Sequence, residues 1–270
     1  MLNTLSAFAI KPPLETPLLN ENGVFVKYEG AQIKGSVKYR MVFNKVLEAI
    51  GDKGIDGSSI LIEASAGSTG VALSEVAAQI AARSEIHMYD NADPKKMKQI
   101  KDVGGQIVLH SACIPFPKIM DIISAKMKEG EYWHLNQMDK KSVVQSYENF
   151  AYEISDQLGD TELERFVCPV GTGGVIQGVG SILKKRYPKL KIIAVEPAKE
   201  VHIDGLRNTE ELHMGEQDPY DKTFPDMRIE VAEVTKNVKF QDRRLGDSAS
   251  TTLDLIRRNN WDKTLMIAAD

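Results

Sequence analysis

An alternation of short aliphatic runs with longer stretches of helical periodicity, from about Arg40 to Leu135, constrains the fold of this chain most strongly. Continuous apolar runs between helices are typical of parallel strands that are covered on both faces. A second series of the same kind follows from about Ser142 to Ala268, and no glycine- and serine-rich linker separates the two. The sequence therefore predicts the α/β class, with two three-layer lobes that carry mostly parallel sheets.

The expected elements follow this alternation. Strands are predicted at 60–62, 86–89, 107–109, 132–135, 166–170, 192–195, 231–234 and 264–268. Helices are predicted at 37–50, 69–82, 94–103, 117–128, 142–158 and 251–258, with one more after Gly174. The polar stretch 202–246 is predicted to be surface loop around the strand at 231–234.

Charge and hydropathy argue against several classes of function. Lysine and arginine number 34 against 38 aspartate and glutamate, a balance of −4 that is not typical of a general binder of nucleic acid or anionic membranes. No stretch approaches the roughly 18 consecutive apolar residues of a membrane span. The first ten residues lack a basic signal-peptide start, and two cysteines, Cys113 and Cys168, cannot form a disulfide framework. The chain is therefore expected in the cytoplasm, with neither nucleic acid nor membrane as a partner.

Lys38 lies in the first turn of a predicted helix, directly after Gly35, Ser36 and Val37. The positive end of the helix dipole disfavours a protonated amine at this position, and a neutral amine is the better nucleophile. A solvated lysine explains the same residue without any chemistry. The position alone leaves both interpretations open.

Small residues join the strand predicted at 60–62 to the helix that follows it. They run in the order Glu63, Ala64, Ser65, Ala66, Gly67, Ser68, Thr69 and Gly70. Backbone N–H groups at such a turn can hold a carboxylate or a phosphate. A tight turn with a serine or threonine N-cap accounts for the segment equally well.

A glycine-rich turn from Gly171 to Gly174 again follows a predicted strand and opens a helix. Three glycines in four residues let the backbone approach an anion closely, which favours a phosphate-binding loop. The turn is not the dinucleotide fingerprint, because Ile176 stands where that pattern requires glycine, and no ATP-type P-loop occurs. A metal is not expected, because the five histidines are scattered and no C-x-x-C pair occurs.

Taken in order along the chain, these segments resemble the fold type II pyridoxal phosphate (PLP) enzymes, specifically the cysteine synthase and cystathionine β-synthase family. The similar segments are Thr16-Pro17-Leu18-Leu19, Val26-Lys27-Tyr28-Glu29, Gly35-Ser36-Val37-Lys38, 65–70, Leu135-Asn136-Gln137, 171–174, Val195-Glu196-Pro197 and 246–250. The resemblance implies a tryptophan synthase β-like fold and a homodimer. It also implies a smaller, mobile substrate-binding lobe, residues 36–140, and a larger PLP-binding lobe, residues 1–35 with 141–270.

Site roles carry over from the resemblance position by position. Lys38 corresponds to the catalytic lysine that holds PLP as a Schiff base and removes the Cα proton of the substrate. The other cofactor-binding positions are Ser68 beside the 3′ oxygen, Ser248 at the pyridine nitrogen, and the phosphate loop Gly171, Thr172, Gly173, Gly174 and Val175. The positions that correspond to the binding of the substrate α-carboxylate are Ser65, Ala66, Gly67 and Thr69, with Gln137 nearby.

The implied reaction is β-replacement or β-elimination on an O-activated L-serine through an α-aminoacrylate, as in the cysteine synthases of cysteine biosynthesis. The partners would be a small amino-acid substrate and a small nucleophile, with sulfide ranked before a thiol or an amine. A serine or threonine dehydratase shares the lysine and the glycine loop and stays an alternative. A degenerate relative that binds PLP or a partner with little turnover is a second alternative.

Several positions depart from the family pattern. Ser68 replaces the usual asparagine, Val175 replaces the threonine that ends the phosphate loop, and Tyr39 replaces the aspartate after the lysine. Gln32-Ile33 replace the usual Asn-Pro. The segment 239–245 before Ser248 is shorter than in the family. Relatives continue beyond the strand-end aspartate, where this sequence stops at Asp270. Arg207 stands where the family's G-I-G segment ends. Its guanidinium either binds an acidic substrate group or lies exposed in a loop.

Overall fold

The computed structural model describes residues 10–65, 67–209, 229–239 and 245–268. Its contacts divide the chain into two compact units. Unit 1 comprises Met1–Pro13 and Lys38–Gln137, and unit 2 comprises Leu14–Val37 and Met138–Asp270.

Strands and helices alternate through most of the described chain. The strands are β1 Leu18–Glu21, β2 Val24–Tyr28, β3 Ile60–Ala64, β4 Arg83–Tyr89, β5 Gln106–His110, β6 Tyr132–His134, β7 Arg165–Pro169, β8 Lys191–Pro197, β9 Ile229–Val234 and β10 Thr264–Ala268. The α-helices are α1 Lys38–Asp52, α2 Ser68–Gln79, α3 Pro94–Asp102, α4 Phe116–Lys126, α5 Lys140–Gln145, α6 Glu148–Leu158, α7 Gly174–Arg186 and α8 Asp247–Arg258. Short 3₁₀ turns lie at Glu29–Ala31, Ile33–Gly35 and Met127–Glu129.

Unit 1 contains a parallel sheet in the order β5-β4-β3-β6. Every residue of β3 is buried, which explains why its sequence is an almost continuous aliphatic run. Helix α4 packs Ile119 and Ile123 into one core cluster with Ile62 and Ala64 of β3. The turn 65–70 therefore leaves the carboxyl end of a strand that is held on both sides, which is where α/β sheets present their ligand-binding loops.

Unit 2 contains a six-stranded sheet in the order β1-β2-β10-β7-β8-β9. The β1 and β2 strands pair antiparallel, and the other neighbours pair parallel. In the centre, Met266 of β10 lies opposite Val26 of β2 and Val167 of β7. These side chains share one buried core with Leu253 of α8. The glycine turn 171–174 follows β7, so it also leaves an interior strand of its sheet.

The predicted α/β class with mostly parallel sheets is confirmed, and each predicted strand is present. Two further strands, β1 and β2, are not among the predicted ones. In β2 the buried Lys27 interrupts the apolar pattern, so a strand at this position carries a weak sequence signal. Within the described residues, no helix is both long and apolar enough to cross a bilayer.

Two predicted helices differ from the observed ones because of tertiary packing. The helix predicted at 142–158 is two helices, α5 and α6, broken near Tyr147. Tyr147 is fully buried, and a Cβ atom at Gly178 of α7 would lie 2.8 Å from its Cβ atom, so α7 packs directly against the break. Helix α8 begins at Asp247 rather than at residue 251, which puts Ser248 in its first turn.

The prediction of surface loop at 202–246 is wrong for Ile203 and Leu206, which are buried in the unit 2 core. Both side chains belong to the same buried cluster as Val167 and Val195 of the sheet, so an irregular segment can still contribute to the core. Residues 210–228 and 240–244 lie outside the described residues.

The segment 10–13 groups with unit 1, whereas residues 1–35 are predicted to belong to the other lobe. The Lys11 N–H group donates to Gln79 Oε1 at 2.7 Å, and the Lys11 carbonyl accepts from the Tyr39 hydroxyl at 2.8 Å. Burial raises the pKa of Tyr39, which keeps this hydroxyl protonated and able to donate. The tyrosine that replaces the family's aspartate therefore ties the N-terminal segment to α1 and α2.

Candidate active site

Lys38 is the first residue of α1 and is half-buried. The turn before it ends at Gly35, whose φ of 70° lies in the left-handed region. The Gln32 side chain holds this turn, because its Oε1 accepts the Leu14 N–H at 2.9 Å and the Ile33 N–H at 3.0 Å. Its Nε2 also donates to the Leu14 carbonyl at 2.9 Å. The glutamine that replaces the usual asparagine thus supplies side-chain hydrogen bonds that hold the approach to Lys38.

The turn 65–70 is shaped by Ser65. Its Oγ accepts the N–H groups of Gly67 at 3.3 Å and Gly70 at 3.1 Å. Because these bonds use lone pairs of the oxygen, the hydroxyl can still donate its own proton to a ligand. A side chain at Gly70 is excluded, since a Cβ atom there would lie 2.7 Å from Ile86 Cγ2. Ala66 lies outside the described residues.

Thr69 and Gln137 come from distant parts of the chain and meet at the carboxyl end of β3. The Thr69 hydroxyl donates to Gln137 Oε1 at 2.7 Å, and Gln137 Nε2 donates to the Ala64 carbonyl at 2.9 Å. Ser68 is the first residue of α2, next to Thr69. The described residues predicted to bind the substrate carboxylate in this lobe are therefore brought together within unit 1.

Two buried charged residues that support this arrangement were not singled out from the sequence. Glu63 Oε2 accepts the Gln137 N–H at 3.0 Å, and Lys45 Nζ donates to the Asn136 carbonyl at 3.1 Å. A charged residue on a strand or helix matches no motif by itself. The one available signal is the acidic side chain inside the apolar run of β3, because a carboxylate is rarely buried without partners.

The glycine turn of unit 2 leaves little room for side chains. Gly173 has φ 81°, in the left-handed region, and α7 begins at Gly174. A Cβ atom at Gly171 would lie 2.7 Å from the Gly205 carbonyl oxygen, and one at Gly174 would clash with Val143 Cγ1. Glycine is therefore required here by close approach as well as by backbone conformation. The turn presents backbone N–H groups at the positive end of α7, which favours an anion.

Gly205 connects the glycine turn with the two remaining predicted residues. A Cβ atom at Gly205 would lie 3.8 Å from Ser248 Oγ, and the carbonyl oxygen of Gly205 lies close to Gly171. The Arg207 N–H donates to the carbonyl of Val170, the residue before the turn, at 2.9 Å. Within unit 2 the structure thus brings together the glycine turn, Ser248 and the backbone of Arg207.

Val175 is the second residue of α7 and contributes its backbone N–H in the first helical turn, although it lacks the hydroxyl of the usual threonine. Ser250, two residues after Ser248 in α8, has a buried Oγ with no hydrogen-bond partner among the described residues. Within the same part of the chain, no group of three or more histidine, cysteine, aspartate or glutamate side chains is arranged to hold a metal ion.

Comparison with known families decides the identity of the chain. The sequence model described as "Pyridoxal-phosphate dependent enzyme" matches residues 10–242. The chain belongs to this family. PLP, the predicted cofactor, is confirmed by this membership, and the matched range contains every predicted site residue except Ser248.

Similar members of the PLP-dependent family support the resemblance to cysteine synthases. The cysteine synthase of Staphylococcus aureus is 26% identical over 187 residues, 69% of this chain and 60% of that protein. Cysteine synthase B of Campylobacter jejuni is 30% identical over 176 residues, 64% of this chain and 58% of that protein. The chain thus matches about three fifths of the length of these curated relatives. O-acetyl serine sulfhydrylase isoform 3 of Entamoeba histolytica has the same fold, with a TM-score of 0.78 and 23% identity over 100% of this chain and 88% of that one.

The residues present fit the family's cofactor. Lys38 offers an amine that can form a Schiff base with an aldehyde. The crowded glycine turn at the start of α7 offers donors to a phosphate, and the Ser248 hydroxyl near Gly205 offers a neutral partner to a ring nitrogen. Each of these groups is of the chemical type that PLP requires.

Proposed function

We propose that this chain is a PLP-dependent enzyme of β-replacement on an O-activated L-serine, and that sulfide is the second substrate, as in a cysteine synthase. The observation that carries the proposal is the meeting of Gly171 and Ser248 at Gly205. The family uses these two positions at different ends of PLP, and they lie 77 residues apart in the sequence, by 248 − 171. The similarity to cysteine synthase and cysteine synthase B supports the choice of reaction.

In this proposal Lys38 binds PLP through Nζ and then moves the proton at the substrate Cα atom. Bound PLP supplies an electron sink that acidifies the Cα–H bond of an attached amino acid. The N–H groups of the segment 171–175 would hold the phosphate, Ser68 would serve the 3′ oxygen, and the Ser248 hydroxyl would bond the pyridine nitrogen. A neutral hydroxyl at that nitrogen keeps the sink weaker than a carboxylate would, which favours chemistry at Cβ over transamination.

The substrate carboxylate is assigned to unit 1. Its donors are the Ser65 hydroxyl, the second Nε2 hydrogen of Gln137 and the backbone N–H groups around Ala66 and Gly67, while Thr69 orients the Gln137 amide by donating to its Oε1. Arg207 is assigned to the leaving group, where its guanidinium favours an acidic donor such as a phosphate.

The same proposal gives each lobe its own role in binding. Residues 36–140 form the smaller, mobile substrate-binding lobe, and residues 1–35 with 141–270 form the larger PLP-binding lobe. The holoenzyme is a homodimer in the cytoplasm, an assignment that rests on the resemblance to the family. Sedimentation velocity of the purified holoenzyme measures the dimer directly, and a monomer at all concentrations would contradict it.

The test uses the full chain reconstituted with PLP, with and without O-acetyl-L-serine and sulfide. We expect the visible absorption of lysine-bound PLP, a spectral change on addition of O-acetyl-L-serine, and cysteine once sulfide is present. Lys38→Ala should lose the band, whereas Lys53→Ala, at an exposed lysine after α1, should keep it. Absence of a visible band would overturn the assignment. Pyruvate and ammonia from L-serine would instead favour the dehydratase, and a band without any product would favour a binding-only relative.

A further inference from the structure

The carboxylate of Glu63 is almost completely buried at the carboxyl end of β3, with the residue 2% exposed. Its two oxygens accept hydrogen bonds from two separate segments of unit 1. Oε1 accepts the Ala64 N–H at 2.8 Å, and Oε2 accepts the Gln137 N–H at 3.0 Å. His134 Nε2 lies 3.5 Å from Oε1. Glu63 therefore joins the start of the turn 65–70 to the chain that follows β6.

The orientation of the Gln137 amide follows from its partners. The Ala64 carbonyl can only accept, so the group 2.9 Å from it is Nε2, and Oε1 faces Thr69. Thr69 must then donate its hydroxyl proton to Oε1, at 2.7 Å. The amide carries a second Nε2 hydrogen, which can donate to a ligand oxygen. Glu63 holds the backbone of the residue whose side chain makes all of these bonds.

The chain on the other side of Gln137 is also held. Asn136 has φ 52°, in the left-handed region, and its carbonyl accepts from Lys45 Nζ at 3.1 Å. Lys45 belongs to α1, the helix that begins at Lys38. A backbone conformation of this kind persists only where surrounding contacts over-determine it. The buried charges of Glu63 and Lys45 provide those contacts from opposite sides of one dipeptide.

A buried carboxylate is costly unless its oxygens are satisfied, so a merely space-filling role at this position would be met better by an apolar side chain. The contacts of Glu63 instead converge on Ala64 and Gln137, which flank the carboxylate-binding turn. We infer that Glu63 is a positioning residue for substrate-carboxylate recognition: it acts through Gln137 and Thr69 and does not touch the substrate. This inference rests on the proposed function only for the assignment of the turn to an α-carboxylate.

The experiment compares ligands that differ in this one group. Binding of L-serine and of L-serinamide to the PLP-loaded full chain is measured by calorimetry, in the wild type and in Glu63→Gln. The glutamine keeps the size of the side chain, but its Nε2 would face one of the two N–H donors. We expect the preference of the wild type for L-serine to fall by about tenfold or more, as for the loss of a charge-assisted hydrogen bond, while PLP loading stays unchanged.

Glu85→Gln is the matched control, because it removes another buried carboxylate of unit 1, on β4, that is 5% exposed and bonds His87 and Lys126 rather than Ala64 or Gln137. It should keep the preference for L-serine. If Glu63→Gln does not fold, Glu63→Asp takes its place: the charge remains, the shorter side chain cannot span both N–H groups, and an intermediate loss of preference is expected.

The outcomes separate the two proposals. An unchanged preference in the Glu63 variant, or an equal loss for both ligands, overturns the positioning role. A wild type that binds L-serine no better than L-serinamide overturns it as well. In a third outcome the wild type prefers L-serine and Glu63→Gln loses this preference, but no cysteine forms from O-acetyl-L-serine and sulfide. That result supports the positioning role and contradicts the proposed function.

Discussion

The Nδ1 atom of His87 lies 2.8 Å from the Nε2 atom of His110 in the buried interior of unit 1. His87 Nε2 lies 2.8 Å from Glu85 Oε1, and because an ionised carboxylate only accepts, the proton of His87 is on Nε2. His87 Nδ1 is then the acceptor, and His110 donates from Nε2. In this arrangement a proton added to His87 Nδ1 would turn two N–H groups toward each other.

Acidification is expected to destabilise the fold through His87. Burial is the largest cause that lowers its pKa, and the nearby charges of His110 and Lys126 act in the same direction, whereas Glu85 opposes them. A lowered pKa means that the unfolded chain binds more protons than the folded one. This contribution to stability is therefore fully present above about pH 6.5 and is lost as the pH falls below it, by at most about 1.4 kcal/mol per pH unit.

Urea midpoints measured from about pH 7.5 to about pH 5.5 test this dependence. His87→Gln removes the titration and should flatten the slope over that range. His202→Gln is the control, because the His202 side chain is 90% exposed and pairs only with Asp204, which is 76% exposed, so the change disturbs no buried contact. A slope that is the same in wild type and His87→Gln would refute the assignment.

Replacing Gly171 by alanine should weaken PLP binding in the proposed site. The added Cβ atom would meet the Gly205 carbonyl oxygen at 2.7 Å, a backbone atom that cannot move without displacing the segment beside Ser248. We expect at least a tenfold loss of PLP affinity and a cost in stability of about 1–3 kcal/mol from overpacking. Fluorescence titration of the apoprotein with PLP measures the affinity.

Gly51→Ala provides the comparison for that change. Gly51 lies in the last turn of α1, and a Cβ atom there would meet nothing within 4 Å. Alanine should stabilise the helix by about 0.5–1 kcal/mol and leave PLP binding intact. Wild-type affinity in Gly171→Ala would show that the turn does not hold the cofactor.

The fold class and the positions of both turns can be predicted because they depend on local pattern. A buried parallel strand reads as an aliphatic run, and a glycine cluster after it reads as a turn with close approach. The contacts that complete the site join distant residues and have no such pattern. The close approach of Gly205 to Gly171 and the hydrogen bond from the Gln137 N–H to Glu63 depend on how strands and helices pack, which periodicity does not encode.

Arg207 is predicted to select the leaving group of the donor. Its N–H donates to the Val170 carbonyl at 2.9 Å, so the side chain starts beside the glycine turn. Arg207→Ala should raise the KM for O-phospho-L-serine by about 10- to 100-fold, the effect of a hydrogen bond to a charged group, and leave O-acetyl-L-serine nearly unaffected. Arg207→Lys should raise the KM for O-phospho-L-serine by less than Arg207→Ala does, because lysine keeps the charge but not the planar fork of the guanidinium. An equal loss for both donors would contradict selection by charge.

Lys27 of β2 carries a buried charge, and its removal should destabilise unit 2. The side chain is fully buried, and Nζ donates to the Thr16 carbonyl and to Gln157 Oε1 at 2.6 Å and forms an ion pair with Glu153 Oε1 at 2.5 Å. Lys27→Met keeps the apolar stem but removes the ammonium donor from all three acceptors and the cation from Glu153. Because the Glu153 side chain keeps 17% exposure and some access to water, we expect a loss of about 2–4 kcal/mol, toward the lower end of what breaking a buried ion pair costs.

Lys98→Met is the control for the change of lysine to methionine. Its ion pair with Asp102 joins side chains that are 74% and 53% exposed, so its removal should cost less than about 0.5 kcal/mol. In Lys27→Met, adding Glu153→Gln should restore part of the stability, because the double variant no longer leaves a partly buried carboxylate without its cation. Urea denaturation of the four proteins measures these differences. Equal destabilisation by Lys27→Met and Lys98→Met would mean that the buried amine contributes no more to the fold than a solvated one.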